Sequence, residues 1–302
     1  MKEKVAIIFG SNGQDGFYLK DLLVRERIKV VRISRSSGDY IGSVGDYEFV
    51  NKLIKIHKPH YIFHFAAIST TRHDVIFENN HSISTGTINI LESVKRHSPE
   101  SKVFISGSAL QFKNSGIPID ENTPFDFLSP YAISRIHSVY MARYFRKTFG
   151  IKAYVGYFFN HDSPFRSENH VNQKIVFHVS EILKGNQNKL IIGNINVKKE
   201  FNYAKDIVEA VWLMINQDSF FEAVIGSGIA FSIKDWIMYC FEKYSLKWEE
   251  HILLDESYKS EYEVLISNPK LIKSIGWEPN INIYKLADLM LEAAIKNKIT
   301  KT

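Results

Sequence analysis

The seven residues Gly10-Ser11-Asn12-Gly13-Gln14-Asp15-Gly16 constrain this chain more than any other stretch. They follow an apolar run, Val5–Gly10, and open a segment, Gln14–Arg27, with helical spacing of its apolar residues. A strand that turns through glycines into a helix brings backbone N–H groups against a phosphate. Glycine permits the tight turn and the close approach, and the phosphate charge settles on the helix N-terminus. The G-x-x-G-x-x-G spacing in this strand–loop–helix setting predicts a dinucleotide site at Gly10, Asn12, Gly13, Gln14, Asp15 and Gly16.

The same alternation continues through the first half. Lys29–Ser34, Tyr61–Phe65, Lys102–Ser106 and Lys152–Tyr157 read as further buried strands. Helix patterns at Tyr47–Lys58, Thr85–His97 and Pro130–Phe149 separate them, the last with Ser129 as N-cap and Pro130 at the first helical position. Strands alternating with helices predict an α/β fold, a doubly wound parallel sheet. After Phe158 the texture changes to polar loops, a helix near Gln173–Lys184, and a tail punctuated by Pro269 and Pro279. The expected division is a dinucleotide-binding domain over 1–160, rejoined by about 201–232, and a smaller, discontinuous C-terminal substrate-binding cap over 161–200 and 233–302.

Composition narrows the function classes. With 302 residues, 45% of them apolar, the chain can bury a sizeable core. One cysteine, Cys240, excludes an internal disulfide framework and fits a reducing cytoplasm. No stretch approaches the ~18 apolar residues of a membrane span, and the first apolar run is too short for a signal segment. A net charge of +5 scattered among acids predicts no nucleic-acid partner, but favours arrival of a diphosphate. His73, His81 and His97 lack metal-ligand spacing, and His64, inside a strand, reads as a satisfied structural donor.

The end of the second strand selects the dinucleotide. An acidic residue there would hold ribose hydroxyls, whereas this chain has Ile33-Ser34-Arg35-Ser36-Ser37. Arg35 can fork onto a 2′-phosphate with Ser36 beside it, so NADP(H) is the expected cofactor; Asp46 is placed near the adenine. At the start of the long helix, Tyr131 and Arg135 share a face one turn apart. A fixed cation lowers a phenol from its usual pKa of about 10, which suits Tyr131 to relaying a proton to or from a hydroxyl.

These stretches together resemble the extended short-chain dehydrogenases, with their Rossmann sheet, and among them the GDP-mannose 4,6-dehydratase branch. The resemblance runs through Gln14-Asp15-Gly16, Arg35-Ser36-Ser37, Ser129-Pro130-Tyr131, Phe159-Asn160-His161-Asp162-Ser163-Pro164, Gly193-Asn194 and Lys198-Lys199-Glu200. It continues from Ala204 to Met214. It implies a nucleotide-diphosphate sugar as substrate, GDP-hexose favoured, with Asn160, Arg166, Lys174 and Lys199 as its contacts, and a homo-oligomer as the assembly. It also gives Tyr131 and Arg135 cofactor contacts. Departures fall on the chemistry: Arg135 stands for the family's lysine, Lys199 for an arginine, and Gln173 for a basic residue. Gly107 stands for the catalytic Thr or Ser, and Ala109 for the catalytic Glu. Ser106 or Ser108 takes the hydroxyl role by a register shift, and Gly107→Thr with Ala109→Glu is expected to raise dehydration. Three readings stay open: a dehydratase with replaced acid–base groups, a ketoreductase or epimerase of a 4-keto sugar, and a non-catalytic binding homologue.

Overall fold

A computed structural model describes residues 3–296; the last six residues of the expected cap lie outside the described residues. β1 (Val5–Phe9) obeys the two-residue period of a strand covered on both sides: Ile7 and Phe9 enter one apolar layer, Ala6 and Ile8 the other. The chain continues through α1 (Gln14–Arg25), β2 (Lys29–Ser34), β3 (Tyr40–Ile41), α2 (Tyr47–His57), β4 (Tyr61–His64), α3 (Ile76–Asn79) and α4 (Gly86–His97). Next come β5 (Lys102–Ser108), α5 (Pro130–Phe149), β6 (Ala153–Phe158), β7 (His161–Asp162), α6 (Val171–Ile182), β8 (Leu190–Ile192), β9 (Lys198–Glu200) and β10 (Asn202–Tyr203). The rest is α7 (Ala204–Ile215), β11 (Glu222–Ile225), β12 (Ala230–Ser232), α8 (Ile233–Glu242), α9 (Trp248–His251), β13 (Ile252–Leu254), β14 (Val264–Leu265), α10 (Lys270–Lys273) and α11 (Ile283–Ile295).

Seven parallel strands in the order β11-β6-β5-β4-β1-β2-β3 form the central sheet. Side chains of α2, α4 and α5 cover one face and those of α1 and α7 the other, which is the doubly wound α/β arrangement. The direction of strand addition reverses between β1 and β4, and ligands of such sheets bind outside the strand ends at that reversal. A third apolar cluster joins α6, α8 and α11, with Phe201 stacked on Trp236 at 5.2 Å between ring centroids. Cys240 is free and buried within it.

α5 forms where its signals place it. The Ser129 hydroxyl accepts from the Ala132 N–H (3.1 Å), Pro130 fills the first turn, and the helix stops on Gly150 at φ +70°. Before α4, Asn80–Thr85 winds as a π-helix, a geometry frequent beside functional sites. Among the described residues no helix is long and apolar enough to cross a membrane.

Candidate active site

The glycine loop closes against two neighbours. Gly10 sits at φ +87°, and a Cβ there would lie 2.6 Å from the Ala66 backbone nitrogen; a Cβ on Gly16 would lie 2.5 Å from the Gly10 carbonyl oxygen. Only glycine permits this approach of β1, α1 and the segment after β4. A cleft of about 260 Å³ opens along the loop, lined among others by Asn12, Gly13, Arg35, Ser36, Ser43 and Ala66. The Ser34 hydroxyl accepts from the N–H groups of Ser36 (3.2 Å) and Ser37 (3.0 Å), curling the segment after β2. Asn12 Nδ2 donates to both Ser36 Oγ (3.0 Å) and Ser37 Oγ (2.8 Å). Arg32 is taken by Asp39 (3.0 and 3.3 Å), whereas Arg35 makes no ion pair among the described residues. The close backbone approach and the free guanidinium fit a dinucleotide with a phosphate at this end.

Of the residues expected on the cofactor, Gly16, Tyr131 and Arg135 lie outside this cleft lining, as do Gln14, Asp15 and Asp46, whose side chains make other contacts. Gln14 is buried; its Nε2 donates to the His161 carbonyl (3.1 Å) and its Oε1 accepts from Ser163 Oγ (2.8 Å). Asp15 Oδ1 lies 3.0 Å from His161 Nε2. Burial works against the imidazolium, but the Asp15 carboxylate outweighs it and holds the His161 pKa above its ordinary value. Asp46 caps α2, accepting from the Phe49 N–H (3.2 Å); the cleft wall nearby is Gly42, Ser43 and Val44.

The catalytic candidates come together at the C-terminal end of β5 and the first turns of α5. The Arg135 guanidinium, 4% exposed, lies 5.1 Å from the Tyr131 ring centroid. Its Nη1 donates to the Ser106 carbonyl and to Ser106 Oγ (2.9 Å), while Ser106 Oγ donates to the His64 carbonyl (2.9 Å). Ser106 is thus the clamp of the guanidinium. Burial alone would raise the Tyr131 pKa, yet the Arg135 charge and the hydroxyls of Ser108 and Ser69 outweigh burial and hold the phenol below its usual range. Ser108 also accepts from the Leu110 N–H (3.2 Å), which fixes its hydroxyl. Position 107 faces elsewhere: a Cβ there would lie 2.7 Å from Tyr157 Cδ1. Ser106 Oγ meets Arg135 and the Ser108 hydroxyl lies beside Tyr131, whereas a side chain at 107 would join Ile105 on the face that holds Tyr157. Ala109 is 2% exposed within the apolar layer that holds Phe112 and Tyr157.

His64 is not the satisfied donor expected. The ring faces the Ile83 and Ser82 carbonyls without reaching good hydrogen-bond geometry to either, and burial followed by the Arg135 charge pushes its pKa down to about 3. The nearby Ile83 carbonyl is already taken by the hydroxyls of Thr87 (2.8 Å) and Ser138 (3.1 Å).

A second polar cluster forms where β7, β9 and the start of α6 meet. Arg166 Nε stands 3.3 Å from Asp162 Oδ1 and its Nη2 donates to His170 Nδ1 (2.9 Å). Burial and then the Arg166 charge press His170 down to about 4, which keeps its Nδ1 an acceptor. Lys199 is buried 5.3 Å from the Phe201 ring centroid; desolvation lowers it to about 8 against the pull of Asp162. Burial would raise Asp162, but Arg166 and Lys199 outweigh it and keep the carboxylate charged. Asn160 Oδ1 and both amide atoms of Gln173 are buried without hydrogen-bond partners. Lys174, by contrast, is exposed on the outer side of α6.

The sequence pattern of the GDP-mannose 4,6 dehydratase family matches residues 7–290. The chain belongs to that family. GDP-mannose 4,6 dehydratase 1 of Arabidopsis thaliana is 29% identical to it, with 98% of this chain and 92% of the relative covered. GDP-mannose 4,6 dehydratase 2 of the same plant is 30% identical, with 98% and 89% covered. Among solved structures, RMD from Pseudomonas aeruginosa complexed with NADPH superposes with a TM-score of 0.85 at 16% identity, covering 98% of each chain. The dTDP-glucose 4,6-dehydratase of Bacillus anthracis in complex with NAD gives 0.85 at 17%, covering 98% of this chain and 97% of its own. At such identities these structures establish the fold alone, the doubly wound α/β sheet described above.

As a member of the GDP-mannose 4,6 dehydratase family the chain is a nucleotide-sugar-modifying enzyme with a nicotinamide cofactor. Sequence reasoning missed several residues of its site. Ser69 reaches Tyr131 from the segment after β4, and its one signal was the small-residue run Ala66-Ala67 at a strand end. Asp162 and His170 escaped notice because their protonation is set only once Arg166 and Lys199 are folded beside them.

Proposed function

We propose that this enzyme oxidises or reduces C4 of a GDP-linked hexose, with NADP(H) as its cofactor. The observation that carries the reading is Tyr131: a phenol held below its usual pKa by a buried guanidinium, with the Ser108 hydroxyl beside it. Tyr131 Oη takes the proton of the C4 hydroxyl or returns it, Ser108 holds the same oxygen, and Arg135 stabilises the phenolate. Arginine stays charged through the cycle, and Ser106 keeps it over the ring. When bound, the nicotinamide accepts or supplies the hydride at C4. Two reactions use that C4 step: a 4,6-dehydratase whose elimination groups come from elsewhere, and an NADPH-dependent 4-ketoreductase or epimerase, the second reading, which Ala109 favours. Hydride transfer needs Tyr131 and a hydroxyl, whereas elimination needs an acid–base group that a buried alanine lacks. Purified protein given NADPH and GDP-4-keto-6-deoxymannose separates the two by loss of NADPH absorbance. No loss while GDP-mannose is consumed removes the second reading, and no turnover of either sugar removes both.

NADP preference rests on Arg35, Ser36 and Asn12. Hydrogen bonds to charged groups contribute about 1.5–3 kcal/mol each, and about 1.4 kcal/mol is tenfold in affinity. Arg35→Ala is therefore expected to weaken NADPH at least about tenfold and leave NADH nearly unchanged in a fluorescence titration. Equal losses for the two would mean that Arg35 touches no 2′-phosphate.

The diphosphate is assigned to Arg166 and Lys199, and Asn160 supplies an unused buried acceptor. GDP is expected to raise the melting temperature and to slow proteolysis of the cap, and Arg166→Ala or Lys199→Ala to remove both effects. If GDP, CDP and UDP all leave the melting temperature unmoved, the substrate class is wrong.

A further inference from the structure

We propose that Gln14 and Asp15, although they stand in the phosphate-binding loop, are positioning residues of the nucleotide-sugar site: they fasten the segment Asn160–Arg166 to the first turn of α1. The proposal rests on the nucleotide-sugar reading above for what that segment binds. Its first support is the chemistry of the two side chains. An ionised Asp15 has no hydrogen to donate to a pyrophosphate, and its charge opposes the anion expected at that helix end. Its partner is His161, at 3.0 Å, so the carboxylate is engaged with the Asn160–Arg166 segment. Gln14 spends its amide in both senses on the same segment, donating to the His161 carbonyl and accepting from Ser163 Oγ.

The second support is the segment itself. Between β6 and α6 its regular pairing is the two-residue ladder of β7 with β10, His161 against Asn202 and Asp162 against Tyr203. A ladder so short does not hold its own geometry. Yet this stretch carries Asn160, Asp162 and Arg166, which must keep their mutual placement to receive a diphosphate. Asn202 donates to the Asn160 carbonyl (2.9 Å) and Asn172 to the Asp162 carboxylate (2.6 Å), and α1 adds support on its own side twice. Below the polar latch, Phe17 packs on Phe165 (4.1 Å between centroids), Tyr18 meets Phe165 at 5.6 Å, and the Tyr18 and Tyr203 hydroxyls are 3.1 Å apart. A helix whose N-terminus faces the cofactor cleft is therefore also the platform of the nucleotide-sugar ligands.

The test uses Asp15→Asn and Gln14→Met in the full chain, which keep size while removing the ion pair and the two hydrogen bonds. Two readouts are taken: hydrogen exchange of the 160–166 amides in free protein, and titrations with GDP and NADPH. Expected are at least about tenfold faster exchange in that segment and at least about tenfold weaker GDP binding, with the NADPH affinity within about twofold of the original protein. Asp15→Glu, which keeps the charge, recovers part of the GDP affinity. Unchanged exchange in both variants overturns the latch whatever GDP does, and so does a loss of NADPH affinity equal to that of GDP. If the original protein binds no GDP, the nucleotide-sugar reading fails by itself, and the exchange measurement still decides whether the latch exists.

Discussion

Tyr131→Phe is expected to lower C4 turnover by roughly 10²–10⁴-fold, the usual contribution of a positioned acid–base group. The substitution removes one oxygen and little else. Tyr131 is 6% exposed, and its ring keeps its place on α5 opposite Arg135, whose guanidinium is clamped independently by Ser106. The groups left behind are the hydroxyls of Ser108 and Ser69, and Ser108 retains its contact with the Leu110 N–H. The fold should therefore survive with a melting temperature changed by no more than a few degrees, and NADPH affinity should stay within about twofold. Single-turnover measurement of the hydride step, alongside an NADPH titration, checks both halves. A variant retaining more than about a tenth of the original rate would show that another group moves the C4 proton. Loss of NADPH binding in parallel would make Tyr131 chiefly a cofactor contact.

What the chain declares in advance is what local physics decides. α5 is bounded by Ser129-Pro130 and Gly150, each acting on its own neighbours, and the helix runs over the residues the sequence predicts. The glycine loop is equally legible, since the positive φ of Gly10 and the crowding at Gly16 are met within a few residues or at the next strand. The engagements of Gln14 and Asp15 are not, because their partners His161 and Ser163 lie 146 to 149 residues away. Asp46 shows a different limit: aspartate at the start of a helix has a sufficient local reason in capping, so its presence there does not by itself point to a ligand. Lys174 depends on helical phase. Polar Asn172 and Gln173 occupy the buried side of α6, so hydropathy alone does not show that Lys174 points outward. At β5 neighbouring residues alternate faces, so Gly107 reads as the vacant hydroxyl position in sequence while the folded chain sets the Ser108 hydroxyl beside Tyr131.

That exchange of faces alters the outlook for dehydration, which is expected to remain slow in the unmodified protein and to stay slow after back-substitution. Loss of water across C5 and C6 needs a base beside one carbon and an acid beside the other oxygen, and each such group contributes about 10²–10⁴-fold. Restoring threonine at 107 and glutamate at 109, which the sequence alone recommends, meets a filled core. A Cβ at 107 falls 2.7 Å from Tyr157 Cδ1 and 3.1 Å from Gln111 Oε1. Tyr157 has no room to yield: its hydroxyl donates to Glu222 (2.6 Å), itself paired with Arg143 and Arg146, and its ring packs at 4.8 Å from Phe112. Such overpacking costs about 1–3 kcal/mol. At 109 a glutamate would enter an apolar layer where the alanine is 2% exposed, and the arginines beside that layer, Arg143 and Arg146, are already paired with Glu222. The double variant is therefore expected to melt several degrees lower, with GDP-mannose dehydration no faster than before. The decisive quantity is turnover of GDP-mannose to its 4-keto-6-deoxy product by the original protein. A rate on the order of 1 s⁻¹ or above would show that residues other than 107 and 109 perform the elimination. A double variant that kept its melting temperature and gained dehydratase activity would show instead that position 107 faces the sugar, and that Ser108 is not the hydroxyl beside Tyr131.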